Sequence, residues 1–118
     1  MQSLYENLPV YKRALDLKVH IEKVVKNFNR YHKYASGQEL RSLSMKILIL
    51  ISKANSKQSR IEHIDKAIEI LEELKITVRV CAEISAFKSS KSFEFMSKSV
   101  IDLLKQCEGW KKASISKQ

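Results

Sequence analysis

Apolar residues return at three- and four-residue intervals through four separate stretches of the chain, which is the spacing of one helix face at about 100° per residue. Pro9 opens the first stretch, and Val10, Ala14, Leu17, Ile21, Val24 and Phe28 form its expected core stripe. The second runs from Glu39 to Asn55, with Leu40, Leu43, Ile47, Leu50 and Ala54 on one face and Met45, Leu48 and Ile49 left over on the others. The third, after Arg60, offers Ile64, Ala67, Ile68, Leu71, Val78, Ala82 and Ser85, and the fourth Phe93, Met96, Val100, Leu103 and Cys107, extended by Trp110. No stretch keeps the two-residue alternation of a half-buried strand.

Local signals place the boundaries. Asn7-Leu8-Pro9 reads as a helix start, because proline is tolerated where a first-turn N–H has no intrahelical partner. Ser36-Gly37-Gln38-Glu39 and Ser59-Arg60-Ile61-Glu62 both have the form of capping boxes. Ser90 or Ser92 is the expected cap of the last helix, and Gly109 a candidate terminator. These marks predict one all-α domain over 1–118, after a short leader at 1–7, with helices over about 8–29, 37–56, 60–87 and 92–111. Connections this short join antiparallel neighbours, so the expected fold is an antiparallel up-down-up-down four-helix bundle.

Such a bundle leaves apolar surface uncovered. Ile76, Val80, Ile84 and Phe87 lie opposite the core face of the third helix, and with Met45, Leu48 and Ile49 they are the expected oligomer interface. The alternative is that the C-terminal tail folds over the stripe.

Composition narrows the class. Two glycines and one proline leave little material for the turns of a many-stranded sheet. The net charge of +9 points to an anionic partner, most often nucleic acid. The charge is uneven: cations dominate 1–60 and 87–118, while 61–86 is acidic through Glu62, Asp65, Glu69, Glu72 and Glu73. Lys91, Lys98, Lys105 and Lys112 recur every seven residues, a pattern that a solvated helix face explains as well as a binding one does. Arg30-Tyr31-His32-Lys33-Tyr34 interleaves cations with rings that can stack on bases. Its alternative is structural, with the tyrosines closing the end of the bundle. The expected nucleic-acid contacts are therefore Arg30 and Lys33 there, and Lys53, Lys57 and Arg60 around the second connection.

Catalytic and metal-binding patterns are missing from the sequence: it has no phosphate loop, no nucleophile elbow, and His20, His32 and His63 fall on separate elements. The expectation is a protein that is not an enzyme and has no cofactor or metal. Cys81 and Cys107 read as buried reduced thiols of a cytoplasmic protein, and the absence of an 18-residue uncharged apolar run argues against a membrane span.

Leu8-Pro9-Val10-Tyr11-Lys12-Arg13-Ala14-Leu15, Phe28-Asn29-Arg30-Tyr31-His32-Lys33-Tyr34, Leu40-Arg41, Ala54-Asn55, Glu72-Glu73-Leu74-Lys75 and Phe93-Glu94-Phe95, in this order, resemble the Avd family, the accessory variability determinants of diversity-generating retroelements. The likeness covers roughly 8–112. It implies a four-helix bundle assembled as a ring-like homopentamer that associates with the retroelement's reverse transcriptase and with RNA or cDNA in support of mutagenic cDNA synthesis, the enzyme doing the chemistry. A sister group encoded in 23S rRNA intervening sequences has the same bundle. Its usual glycine-containing segment after the second helix is replaced here by Ala54-Asn55-Ser56-Lys57, which favours the retroelement group. A structural module docking an acidic protein is the reading from a different class.

Overall fold

The computed structural model describes residues 9–56 and 58–116, and every regular element in them is helical. Four long helices, α1 (Pro9–Lys26), α3 (Ser36–Ala54), α4 (Arg60–Glu83) and α5 (Ser90–Ser116), are joined by short connections, and a one-turn helix, α2 (Arg30–Lys33), sits between α1 and α3. The expected leader lies outside the described residues, as does Lys57. Helix α1 packs on α3 and α5, and α4 packs on the same two, so α1 and α4 stand diagonally across a four-helix arrangement compatible with a bundle.

The core is a single cluster along the inside of the four helices. Ile21, Leu40, Ile47, Ile64, Leu71, Leu74, Met96 and Leu103 are essentially inaccessible. Each such side chain stabilises the fold by about 1.5–3 kcal/mol relative to an exposed position. The stripes differ in detail from the sequence expectation. Val25 rather than Val24 completes the α1 stripe, and on α3 the seam is Leu40, Ser44, Ile47, Ile51 and Ala54, with Leu43 and Leu50 half-buried beside it. A helix wedged between two neighbours buries both flanks of its stripe, so a single line of residues underestimates the buried arc. Ser44 is tolerated at this seam because its hydroxyl donates to the Arg41 carbonyl at 3.0 Å.

The helix ends depart furthest from the expectations. Neither capping box forms. Ala35, not Ser36, is the N-cap of α3, and its carbonyl accepts from the Gln38 and Glu39 amides. The turn of α2 delivers the chain so late that Ser36 is already helical. Ser59 does precede α4, but at φ 60°, a left-handed backbone in which its side chain makes no cap bond. Helix α4 stops at Glu83, because Ser85 at φ 60° reverses the chain: the Ala86 amide bonds to the Cys81 carbonyl at 2.9 Å and the Ser85 amide to Ala82 at 3.1 Å, the paired bonds of a Schellman motif. Phe87 therefore does not continue the outward stripe of Ile76, Val80 and Ile84. It turns inward, edge-on to Phe28 and Phe93 at 5.4 and 5.7 Å between ring centres, and these three rings close this part of the core. At α5 the cap is Ser89, one residue earlier than expected, whose hydroxyl accepts from the Ser92 amide, and the helix passes through Gly109 without stopping.

Candidate nucleic-acid interface

The best-formed cationic surface lies where α1 ends and α3 begins. Lys23 and Lys26 occupy the last turn of α1, a position that also suits the negative end of the helix dipole. Asn29 then caps α2, its side chain accepting from the His32 amide at 3.0 Å. This turn brings Lys33 back beside α1, and the first turns of α3 add Arg41. Lys23, Val25, Lys26, Lys33, Arg41 and Glu22 line one shallow open depression.

Gly37 lets the chain pack this closely. A Cβ there would stand 2.8 Å from the Val25 methyl and 3.0 Å from the His32 carbonyl oxygen. Glu22 fixes the floor of the site: its carboxylate accepts from Lys18 Nζ at 2.7 Å and from Arg41 Nε at 3.0 Å, while Lys18 also donates to the Arg41 carbonyl. The Lys18 hydrogen bond, with that of Arg41, holds the Glu22 carboxyl below its ordinary value against the opposing effect of burial. One acid thus orients two cations and leaves the group positive. Among the described residues no carboxylate pairs with Lys23, Lys26 or Lys33. Tyr31 and Tyr34, on and just after α2, are 79% and 69% exposed, so the tyrosines do not close the bundle end; the three phenylalanines do. Cations without partners beside bare rings are the pieces that contact with phosphates and bases requires.

The five expected contact residues divide. Lys33 belongs with this cluster, whereas Arg30 is exposed three residues earlier on α2 and is not among the residues that line the depression. Lys53 is in the last turn of α3, about 18 Å along that helix from Arg41 at 1.5 Å per residue, so the two sets form no single site. Arg60 is committed elsewhere: its Nε donates to the Ala54 carbonyl at 2.8 Å and its Nη2 to Asn55 at 2.7 Å, terminating α3. Lys57 lies outside the described residues. Lys23 and Lys26 stand away from the apolar stripe of α1, so helix periodicity alone places them outward; their convergence with Lys33 and Arg41 depends on how α2 turns, which periodicity does not record.

Of the expected interface residues, Met45, Ile49, Ile76, Val80 and Ile84 are exposed, whereas Leu48 and Phe87 are half-buried against the protein's own core. Among the described residues no cluster of metal-ligating side chains occurs, and no helix is long and apolar enough to cross a membrane. Cys81 and Cys107 are buried free thiols, which burial pushes up to about 11 and about 12.

What fold and surface together define is an all-helical protein, compatible with a four-helix bundle, with a cationic depression near one end of its first long helix. Comparison with protein-family models finds no match, and comparison with curated proteins finds none either.

Proposed function

We propose that this protein is a non-enzymatic, Avd-like accessory factor of a diversity-generating retroelement: an antiparallel up-down-up-down four-helix bundle, self-associated as a ring-like oligomer in the cytoplasm, that holds RNA or cDNA through phosphate contacts and docks on the retroelement's reverse transcriptase. The antiparallel part is supported by ion pairs joining late α1 to early α3, Glu22 to Arg41, and early α4 to late α5, Asp65 to Lys111 at 2.7 Å. The nucleic-acid part rests on the unpaired Lys23, Lys26 and Lys33 beside exposed Tyr31 and Tyr34.

Binding through phosphates releases counterions, so affinity for single-stranded RNA falls steeply between about 50 and 200 mM salt. Lys26→Ala and Lys33→Ala each lower the slope of log affinity against log salt by roughly 0.7, the value per contact on a single strand. Tyr31→Ala weakens binding by about 1–3 kcal/mol if the ring stacks on a base. An affinity that ignores salt, or that survives both lysine substitutions, overturns the reading.

A further inference from the structure

Beside the end of α1 and the start of α5 lies a small cavity of about 180 Å³, several times the roughly 30 Å³ share of one liquid water molecule. Its wall is formed by His20, Lys23, Val24 and Asn27 on and just after α1, Lys88 in the connection that follows α4, and Ser92 in the first turn of α5. Two ammonium groups from separate segments therefore border one cavity, and no carboxylate lines it. Among the described residues neither Lys23 nor Lys88 has an ion-pair partner. After burial, the Lys23 ammonium is what holds His20 below its ordinary value, so its positive potential reaches the cavity wall.

The backbone around the cavity is held in place. Lys88 stands between Phe87, which packs edge-on to Phe28 and Phe93, and Ser89, the cap of α5. The Asn27 amide bonds to the Val24 carbonyl at 3.0 Å, and Asn27 Nδ2 gives one hydrogen to the Lys23 carbonyl at 3.3 Å, which leaves its second. The Ser92 hydroxyl accepts from the Ser89 hydroxyl at 3.1 Å, so its own hydrogen stays available. The wall thus offers two cations and two neutral donors from three segments. A tetrahedral oxyanion, whose oxygens point in several directions, suits that distribution better than a carboxylate, whose two oxygens favour a single planar fork. The positive end of the α5 dipole adds to the preference for an anion.

We infer that this cavity is an oxyanion site that seats a phosphate group, with the ammonium groups of Lys23 and Lys88 neutralising its charge and Asn27 Nδ2 and Ser92 Oγ donating to its oxygens. The site goes beyond the strand contacts proposed above, since it is built on α5 and the connection before it rather than on α2 and α3. Lys23 lines both this cavity and the cationic depression, so positive charge runs from one to the other across α1. The phosphate is either free in solution or part of a nucleic-acid strand that leaves the depression past Lys23.

The test follows thermal melting of the full chain by circular dichroism. Millimolar sulfate or inorganic phosphate, exchanged for chloride at constant ionic strength, should raise the melting midpoint saturably, because an anion bound only by the folded state stabilises it by mass action. Lys88→Gln should weaken that binding about tenfold, the loss that goes with one charged hydrogen bond, and Lys88→Arg should largely restore it. Ser92→Ala should give a second, smaller loss. Binding of single-stranded RNA then separates the two sources. A phosphate that belongs to a strand predicts that Lys88→Gln also lowers the salt slope by roughly 0.7 and that inorganic phosphate competes with the RNA. A site for free phosphate predicts an unchanged slope. A midpoint no higher in sulfate or phosphate than in chloride, or a rise that Lys88→Gln leaves intact, overturns the site. RNA binding that ignores salt overturns instead the strand contacts of the depression and leaves the phosphate seat standing.

Discussion

The two glycines of the chain occupy opposite environments although both are helical. Gly37 is buried in the first turn of α3, where a methyl group would stand 2.8 Å from the Val25 side chain and 3.0 Å from the His32 carbonyl oxygen, so that the packing around it would have to shift. Gly37→Ala should therefore destabilise the protein by about 1–3 kcal/mol, the usual cost of overpacking. Gly109 has nothing within 4 Å of where its Cβ would stand. Gly109→Ala should stabilise by about 0.5–1 kcal/mol, because it removes unfolded-state freedom at no steric cost. Urea melts of the two variants, moving in opposite directions, check the pair. Ser85, at φ 60°, is the complementary case: Ser85→Gly relieves a side chain held in the left-handed region and should raise stability by about 1 kcal/mol. His20 adds a pH dependence. Burial foremost, and then the Lys23 ammonium, hold it below its ordinary 6.5 while its ring lies against Phe95 at 4.6 Å. The unfolded chain therefore takes up this proton first, and stability falls as pH drops through 6.5. His20→Phe should flatten that part of the stability profile. Glu22 acts in a lower window: its stabilising contribution is complete above 4.5 and disappears as pH falls through its depressed folded value.

Among the elements, the helix ends separate structural cations from available ones. Arg60 donates to the last carbonyls of α3, groups that otherwise have no intrahelical partner. Arg60→Ala should cost about 1.5–3 kcal/mol, the range for hydrogen bonds made by a charged group. It should leave the salt slope of RNA binding unchanged, whereas Lys26→Ala should change the slope and barely move the melting transition. Measuring both quantities on both variants distinguishes a cap from a contact. The sequence motif S/T-x-x-E promised capping at Ser36 and Ser59. What formed instead was an Ala35 carbonyl cap at α3 and, before α4, a left-handed Ser59 whose side chain makes no cap bond, because the geometry of entry into each helix is set by the preceding turn, which no four-residue motif contains.

At the scale of the molecule, the separation between function and packing follows the arrangement of helices. The cationic depression gathers Lys23 and Lys26 from α1, Lys33 from α2 and Arg41 from α3, while Ile76 and Val80 stand exposed on α4. The sequence by itself determined the helical class, the four long helices and most of their inward residues, because the three-four period of apolar side chains is a local property that burial must satisfy. It also determined that Ile76, Val80 and Ile84 face outward, since the core side of α4 is occupied by Leu71, Leu74 and Val78. Only the tertiary structure decided which cations stand together, that Arg60 is consumed by α3, that Phe87 turns inward and that the tyrosines remain exposed. Those outcomes depend on left-handed residues at 59 and 85, on the turn of α2 and on the close approach at Gly37, where distant segments set the backbone and no periodicity records the result.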